Sequence, residues 1–349
     1  MSLRSVHIVR RYGPFGGMER YVWELTHALR ALGEPVSVIC EEQLQVSHPD
    51  IQVIQTGAVA EKPRWISMLR FSSRLPKALS QIPNGDRIIH SHERSSIHQV
   101  TSFHGPSILS RRRRWSDWFS ARLRVWEYLE RREVEASQVR AILPNSDRVA
   151  TQLAELYPAA RHRLSKPAYP GVGAEFFPAD GRPDKKIIGF IGREWRRKGL
   201  AFAARVVGSM REKDPDIRFK VAGCHPEEVK SLFEDWQDGV ELLGWCDPAE
   251  FYRQIDLLIL PSANEPFGMV VAEANASNVP VLISDECGIA SLISSDHGEV
   301  LTLDNEPENL LRWQQEGERL LMFNGPVVPL GLTWAALAKQ HVALYAAVT

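Results

Sequence analysis

The sequence lacks the features of several protein classes. Its four cysteines, Cys40, Cys224, Cys246 and Cys287, stand far apart without CxxC spacing. This disfavours a disulfide framework and a zinc site, and makes a reducing cytoplasm the expected compartment. No apolar run reaches the ~18 residues of a membrane span. The first residues hold a strand-length apolar run and no cleavage site, so no secretory signal is expected.

Two common nucleotide-binding loops are also missing. The glycine-rich segment Gly13–Gly17 follows the first predicted strand but contains neither GxGxxG nor GxxxxGK[ST]. A nicotinamide or ATP site is therefore not indicated. The composition, 44% hydrophobic and 24% charged over 349 residues, predicts a globular chain of about two domains and excludes a disordered one.

The net charge of −1 hides an uneven distribution. Residues 1–170 carry 25 basic and 16 acidic side chains (25 − 16 = +9), and the remainder carries 17 and 27 (17 − 27 = −10). Arginines and tryptophans concentrate in Arg111–Trp126. Three interpretations stay open for this segment: a solvated helix with i,i+4 ion pairs, an anionic membrane or lipid surface, and nucleic acid. The acidic second half argues against a large nucleic-acid footprint.

Short apolar strands alternate with helices along both halves of the chain, which predicts an α/β fold with parallel sheets. In the first half, Met18–Leu32 has a helical apolar stripe that ends at Gly33. A proline- and glycine-rich stretch over 165–185 reads as a linker, and the pattern then restarts at Ile187–Ile191. Other strands are predicted at Val6–Val9, Val36–Cys40, Ile51–Ile54, Arg87–His90, Ala141–Leu143, Phe219–Ala222, Val240–Leu242, Asp256–Leu260 and Val281–Ile283.

The most informative segment runs from Pro261 to Ala274. Glu265 is predicted in the loop after a strand, and Glu273 eight positions later on the following helix. Ligands of open α/β sheets bind at the carboxyl ends of strands. Carboxylates there accept hydrogen bonds from sugar or ribose hydroxyls, while the amides of Phe267, Gly268 and Met269 open a helix N-terminus that suits a phosphate.

This string, with its Glu-Pro-Phe-Gly core, resembles the E-x7-E signature of retaining GT-B glycosyltransferases of the family 4 type. The resemblance implies two Rossmann-like βαβ domains that face each other across a cleft. Residues 1–168 would form the acceptor-side domain and 169–331 the nucleotide-sugar-binding domain. The helix in 332–349 would cross back to the first domain.

Three further segments resemble the same family. Gly192–Gly199 is similar to its G-R-x4-K-G pattern, in which Arg193 and Lys198 would meet the donor diphosphate; Arg196 and Arg197 are interpreted as a surface turn. Gly16 and Gly17 would contact the donor phosphate and sugar. His104, before Gly105-Pro106, would touch the donor sugar or the acceptor side. His90 and His92, at the end of another predicted strand, are weaker candidates for the cleft wall. The pair also suggests a metal, but no supporting carboxylate motif accompanies it. The interdomain Pro170-Gly171-Val172-Gly173 matches the family pattern only in part.

The resemblance implies a retaining, metal-independent hexosyltransferase without a cofactor. Glu265, His104, Arg193 and Lys198 would be catalytic; Glu265 would orient sugar hydroxyls and Glu273 would hold the ribose. The Pro14-Phe15-Gly16-Gly17 opening is similar to that of lipopolysaccharide core enzymes. We therefore expect a UDP-sugar donor, a bacterial envelope glycan or glycolipid acceptor, and a cytoplasmic protein that contacts the inner face of the membrane through Arg111–Trp126. A GT-B epimerase and a non-enzymatic nucleic-acid-binding protein are the alternatives.

Overall fold

A computed structural model describes residues 3–58, 62–83, 85–110, 120–177, 186–304, 307–323 and 325–349. The chain folds into two compact units. The first combines Met1–Gly171 with Thr333–Thr349, and the second is Val172–Leu332. Within the described ranges, no helix has both the length and the apolar character needed to cross a membrane.

The first unit is built on a parallel sheet in the order β5-β3-β1-β6-β7-β8. Its strands are almost entirely buried at the centre, as expected for a sheet covered on both faces, and β1 and β6 bury polar side chains together with apolar ones. A separate parallel pair, β2 with β4, lies beside the glycine-rich segment. The strands are β1 Arg4–Ile8, β2 Arg11–Tyr12, β3 Val36–Cys40, β4 Glu42–Gln43, β5 Gln52–Gln55, β6 Arg87–Ser91, β7 Val100–Phe103 and β8 Ala141–Pro144.

Helices cover this sheet, and their starts follow ordinary capping chemistry. The side chains of Ser120 and Ser146 accept hydrogen bonds from the amides of Leu123 and Val149, which satisfies a free N–H at each helix start. Leu25 and Leu29 are fully buried on the sheet-facing side of the first helix. The helices are α1 Met18–Ala31, α2 Arg64–Leu79, α3 Ala121–Glu135 and α4 Asp147–Leu156.

The second unit repeats the same architecture with the order β11-β10-β9-β12-β13-β14, all parallel. The strands are β9 Ile187–Ile191, β10 Arg218–Ala222, β11 Val240–Gly244, β12 Leu257–Leu260, β13 Val281–Ser284 and β14 Gly298–Leu301. The helices are α5 Leu200–Lys213, α6 Pro226–Val229, α7 Pro248–Tyr252, α8 Met269–Ala276 and α9 Pro307–Leu321. Because β9 and β12 are neighbours, the loops that follow them emerge side by side.

The last helix, α10 Trp334–Val348, belongs to the first unit. Its buried residues Leu337, Ala338 and Tyr345 pack in the same core as Leu25 and Leu29 of α1. Thr333 caps the helix by accepting a hydrogen bond from the amide of Ala336 at 3.1 Å.

Candidate active site

The loop between β9 and α5 is fixed against the loop after β12. Gly199 has φ +82, and a Cβ there would lie 1.9 Å from the carbonyl oxygen of Pro261. Only glycine tolerates both the left-handed backbone and this close approach. The amide of Ala263 and the hydroxyl of Ser262 both donate to the carbonyl oxygen of Arg197, at 3.1 and 3.2 Å. These contacts hold the two loops in one position.

Glu265 and Lys198, two predicted site residues, form an ion pair at this junction. Nζ of Lys198 lies 3.1 Å from Oε2 of Glu265, and the two side chains are only 11% and 12% exposed. Such partial burial makes the pair stronger than one at the open surface. The carboxylate and the ammonium group are therefore pre-positioned relative to one another.

Arg197 lies in the predicted turn, but its side chain also reaches this pair and is only 32% exposed. Its NH1 lies 3.2 Å from Oε2 of Glu265 and also donates to the carbonyl oxygen of Asn264. Its NH2 lies 2.6 Å from Oε2 of Glu194. Arg196, in contrast, is exposed, with its guanidinium over the Trp195 ring as a surface residue would have it. Arg196, Arg197 and Lys198 look equivalent in the sequence. Only the geometry of the turn shows that the last two reach Glu265 and the first does not.

The loop that carries Glu265 is held by backbone pairing. The amide of Glu265 donates to the carbonyl of Glu286 at 3.1 Å, and the amide of Gly288 donates back to the carbonyl of Glu265 at 2.8 Å. Farther along, the amide of Ile289 donates to the carbonyl of Phe267 at 2.8 Å. The segment after β13 thus acts as a short strand partner for the loop. No local sequence pattern indicates this pairing.

The start of α8 follows directly. Gly268 has φ +111, so the chain turns sharply into the helix between buried Phe267 and half-buried Met269. Glu273, on the same helix, is 6% exposed and accepts a hydrogen bond from the hydroxyl of Tyr252 at 3.1 Å. A buried carboxylate requires such donors, because desolvation of its charge is costly.

Arg193 occupies a different position from Lys198. It is exposed, and its guanidinium carbon lies 5.0 Å from the centroid of the Trp245 ring. Trp245 directly follows β11 and is 56% exposed. A cation over an indole face is a favourable pair. Together they form a flat, exposed platform at the carboxyl edge of the second sheet.

In the first unit, Gly16 and Gly17 lie between β2 and α1, and Gly17 directly precedes the helix. His104 follows β7, and its Nε2 lies 3.0 Å from Nδ1 of His92. The ring of Tyr21 meets the His104 ring edge-on at 4.6 Å between centroids. His104 is therefore part of an aromatic and imidazole network, which its Gly-Pro context did not reveal.

That network, here called the histidine cluster, consists of His7, His90, His92, His104 and His341. All except half-buried His104 are at most 3% exposed. Burial lowers the pKa of His7 to about 3 and that of His341 to about 4. The hydroxyl of Tyr345, on α10, lies 2.6 Å from Nδ1 of His90.

A cavity of about 630 Å³ opens beside His92 and His104 in the first unit. Cationic side chains predominate over acidic ones in its wall. One of the acids, Glu133, has its pKa raised to about 7 by burial, although Arg94 nearby opposes that shift. The charged lining residues are Arg10, Arg11, Lys62, Arg64, Arg94, Glu19, Glu93 and Glu133.

The basic, aromatic segment is described only in part, since residues 111–119 lie outside the described ranges. The remainder forms the start of α3. There, Arg94 lies over the Trp126 ring at 5.1 Å and pairs with Glu130 at 3.0 Å. Arg131 and Glu135 form an i,i+4 pair at 3.3 Å. Only the Arg131–Glu135 pair is the kind expected on a solvated helix face, because Glu130 is fully buried and its pair with Arg94 holds the helix against the rest of the unit.

Two family models match the two halves of the chain. Residues 15–166 match the model described as "Glycosyltransferase Family 4", and residues 185–312 match "Glycosyl transferases group 1". Among solved structures, WaaG, a glycosyltransferase involved in lipopolysaccharide biosynthesis, is similar with a TM-score of 0.76 and 17% identity, covering 97% of this chain and 95% of WaaG. The chain has the GT-B fold. Each of its two units contains a region that matches a glycosyltransferase family model.

Other similar proteins show how broad this group is. Sucrose-phosphate synthase of Thermosynechococcus elongatus is similar with a TM-score of 0.70 and 16% identity. The match covers 99% of this chain and 98% of the synthase chain. D-inositol 3-phosphate glycosyltransferase of Corynebacterium diphtheriae is 28% identical over 182 residues, which is 46% of this chain and 42% of that protein. The Arthrobacter enzyme of the same name is 26% identical over 335 residues, 80% and 76% of the two chains. This chain thus spans less than half the length of several curated relatives that it matches.

Proposed function

We propose that this protein is a retaining, metal-independent glycosyltransferase that moves a hexose from a nucleotide-sugar to a bacterial envelope glycan. The observation that carries the proposal is the triad of Glu265, Lys198 and Arg197. One carboxylate is held between two cations at the carboxyl edge of a parallel sheet, beside the start of α8. Nucleotide ligands bind at this edge in open α/β folds.

The chemistry follows from the charges. When the bond between the anomeric carbon and the diphosphate breaks, negative charge grows on the leaving phosphate oxygen. Lys198, with its ammonium group already fixed, stabilises that charge. The acceptor hydroxyl attacks the anomeric carbon from the face that the diphosphate leaves, and its proton passes to the leaving phosphate. Glu265 accepts hydrogen bonds from sugar hydroxyls, and this orients the anomeric carbon for attack.

The nucleotide would be held through both its ribose and its base. Glu273 is suited to the ribose hydroxyls because it is a buried carboxylate on the helix that begins at the phosphate end of the site. The exposed Trp245, with Arg193 above it, offers a surface for a flat base. We favour a UDP-sugar, because a structural neighbour, Anabaena HepE, was solved with UDP and glucose at a TM-score of 0.63.

For the acceptor, we propose an anionic glycan such as phosphorylated lipopolysaccharide core. Arginines and a lysine predominate in the wall of the cavity next to His104. Arginine holds phosphate through two parallel hydrogen bonds. The similarity to WaaG supports an envelope glycan, and the curated relatives are named for D-inositol 3-phosphate, which also bears a phosphate. Such an acceptor would bring the enzyme to the inner face of the cytoplasmic membrane.

Nucleotide binding is tested by thermal unfolding with UDP, GDP and ADP in separate samples containing a chelator. A ligand at 100 times its dissociation constant should stabilise the protein by about 2.7 kcal/mol. We expect one diphosphate to do so in the wild type and in Glu250→Gln, an exposed carboxylate change on α7, and the effect to be lost in Glu273→Gln. Equal stabilisation of all three proteins would contradict the ribose assignment.

Transfer itself is tested with the nucleotide-sugar that this screen selects. The reaction is run with a phosphorylated core oligosaccharide, with its dephosphorylated form, and without an acceptor. We expect a product with the anomeric configuration of the donor, formed fastest with the phosphorylated acceptor, and unaffected by the chelator. Epimerised donor in the sample without acceptor would favour a GT-B epimerase instead.

A further inference from the structure

The histidine cluster contains more imidazoles than the proposed reaction uses. His104 faces the cavity, but His7 and His90 are fully buried on adjacent strands, and His92 is 3% exposed at the end of β6. His7 is paired directly with His90 in the register of β1 and β6. Packing of an apolar core does not require three buried imidazoles, so their presence between two strands calls for another explanation.

The ligand atoms of these three side chains converge. One ring nitrogen from each of His7, His90 and His92 lies within 4.8 Å of the others. Nδ1 of His7 and Nε2 of His92 are 3.1 Å apart. Two neutral imidazole nitrogens at this distance either share one proton or bind the same cation. In a tetrahedral site with bonds of ~2.1 Å, two ligand nitrogens are separated by about 3.4 Å.

The rings lie close enough to share one ion. Ring centroids lie 5.2 Å apart for His7 and His90 and 5.4 Å apart for His7 and His92. With 3.1 Å between their nitrogens, His7 and His92 face each other in line as in an N–H···N hydrogen bond, so binding of a tetrahedral ion would turn these two rings toward a common point. His90 and His92 are closer, at 4.3 Å, so the angle between these two ligands is the smallest of the three.

Groups suited to an outer coordination shell are also in place. The second nitrogen of His92, Nδ1, lies 3.0 Å from Nε2 of His104. The nitrogens of His90 lie 2.6 Å from the Tyr345 hydroxyl and 2.9 Å from the Ser102 hydroxyl. Metal ligation through one nitrogen would replace one of these two contacts and leave the other to orient the ring. Such partners fix the tautomer and direction of a metal-binding histidine.

His7 has a second ring nitrogen besides the Nδ1 that meets His92. Its Nε2 is buried and has no hydrogen-bond partner among the described residues. An unpaired polar atom in a dry core is costly, and native proteins contain few of them.

We infer that His7, His90 and His92 form a binding site for a divalent transition metal, with Zn²⁺ as the best-suited ion. Neutral imidazoles favour Zn²⁺ and its neighbours over Mg²⁺ or Ca²⁺, which prefer oxygen ligands. The site lies within the first unit and is built from β1 and β6, so it does not depend on the donor chemistry proposed for the second unit. Its expected role is to stabilise the strand ends that precede the cavity.

The test uses the full chain without a histidine tag, freed of metal by chelator dialysis and titrated with Co²⁺. We expect the visible d–d bands of tetrahedral Co²⁺ to saturate at one equivalent and to disappear when Zn²⁺ is added. Mg²⁺ should have no effect. Absence of these bands in the wild type would overturn the inference without reference to any variant.

Two matched variants locate the site. His7→Phe removes one ligand and keeps an aromatic ring in the core. His341→Phe makes the same change at an equally buried histidine that is not one of the three proposed ligands. We expect His341→Phe to bind Co²⁺ like the wild type and His7→Phe to bind at least about a hundredfold more weakly. Equal affinity in both variants would refute the assignment. If circular dichroism shows that His7→Phe does not fold, His90→Gln takes its place.

Discussion

Gly199→Ala tests whether the two site loops are fixed in the way the structure indicates. The new methyl group would meet the Pro261 carbonyl oxygen at 1.9 Å, a backbone atom that cannot rotate away. The left-handed backbone conformation costs an L-residue about 1–2 kcal/mol, and overpacking typically costs about 1–3 kcal/mol. We therefore expect the free energy of unfolding to fall by roughly 2–5 kcal/mol.

Gly331→Ala is the matched control for this change. Gly331 lies in the same unit with φ +69, and a Cβ there meets no described atom within 4 Å. It therefore reports the backbone cost alone, about 1–2 kcal/mol. Calorimetry compares the two variants in the unfolding transition of one unit, where each kcal/mol shifts the midpoint by about 2–4 °C.

The two variants should differ by about 2–12 °C, because overpacking of about 1–3 kcal/mol separates them. Gly199→Ala should also weaken nucleotide-diphosphate binding, since the strain falls on the segment next to Lys198. A Gly199→Ala protein as stable as Gly331→Ala would refute the close approach of the two loops. The position of Lys198 relative to Glu265 would then need another explanation.

Three other predictions address the site and the buried charges. Lys198→Ala should lower the transfer rate about 10²–10³-fold in a donor-turnover assay, whereas Lys220→Ala, at a lysine paired with Glu241 on a neighbouring strand, should leave it nearly unchanged. Glu265→Gln should lower the rate strongly with an unchanged circular dichroism spectrum; a normal rate would sink the proposed role. Burial raises the pKa of Glu133 to about 7. The folded state then holds a proton that the unfolded state releases above about pH 4.5, so this group's contribution to stability falls between pH 4.5 and 7, by about 1.4 kcal/mol per pH unit at most. The free energy of unfolding measured with urea across this range should depend less on pH in Glu133→Gln than in the wild type. An equal pH dependence in both proteins would show that Glu133 is not its source.

The strands with continuous apolar runs were the easiest part of the fold to predict. Ile187–Ile191 and Val36–Cys40 have the bounds expected from their sequence. The strand Val100–Phe103 was missed as a strand of its own because Thr101 and Ser102 interrupt its apolar pattern. Both hydroxyls are buried and paired, Thr101 with Glu133 at 2.8 Å and Ser102 with His90 at 2.9 Å. A local sequence pattern gives no information about hydrogen-bond partners that are distant in the sequence.

One helix and one further strand were missed because their local sequence signals are weak. Helix Arg64–Leu79 contains Pro76 and adjacent serines, which break the usual helical signals. It nevertheless buries Phe71 and Leu75 against the sheet. Strand Gly298–Leu301 was also missed, since it is short and carries a glycine and a glutamate. In both elements, packing against the rest of the unit outweighs the local propensity.

The predicted site residues were identified from motifs, but the contacts between them were not predicted. Glu265 and Lys198 are 67 positions apart and meet because β9 and β12 are neighbours, which depends on the strand order. The part played by Arg197 was invisible in a run of basic residues. His7 stood alone on the first strand, without a motif, and only the pairing of β1 with β6 brings it to His90.

The return of α10 to the first unit has a consequence for synthesis on the ribosome. The amide of Val172 donates to the carbonyl of Leu332 at 3.0 Å, so the second unit begins and ends at one point, like an insertion. The first unit lacks Leu337, Ala338 and Tyr345 of its core until the residues that follow the second unit emerge. Translation must therefore complete the inserted unit before the first unit can close. A chain truncated before Thr333 and released should expose the α1 surface to proteases, while its complete second unit is protected.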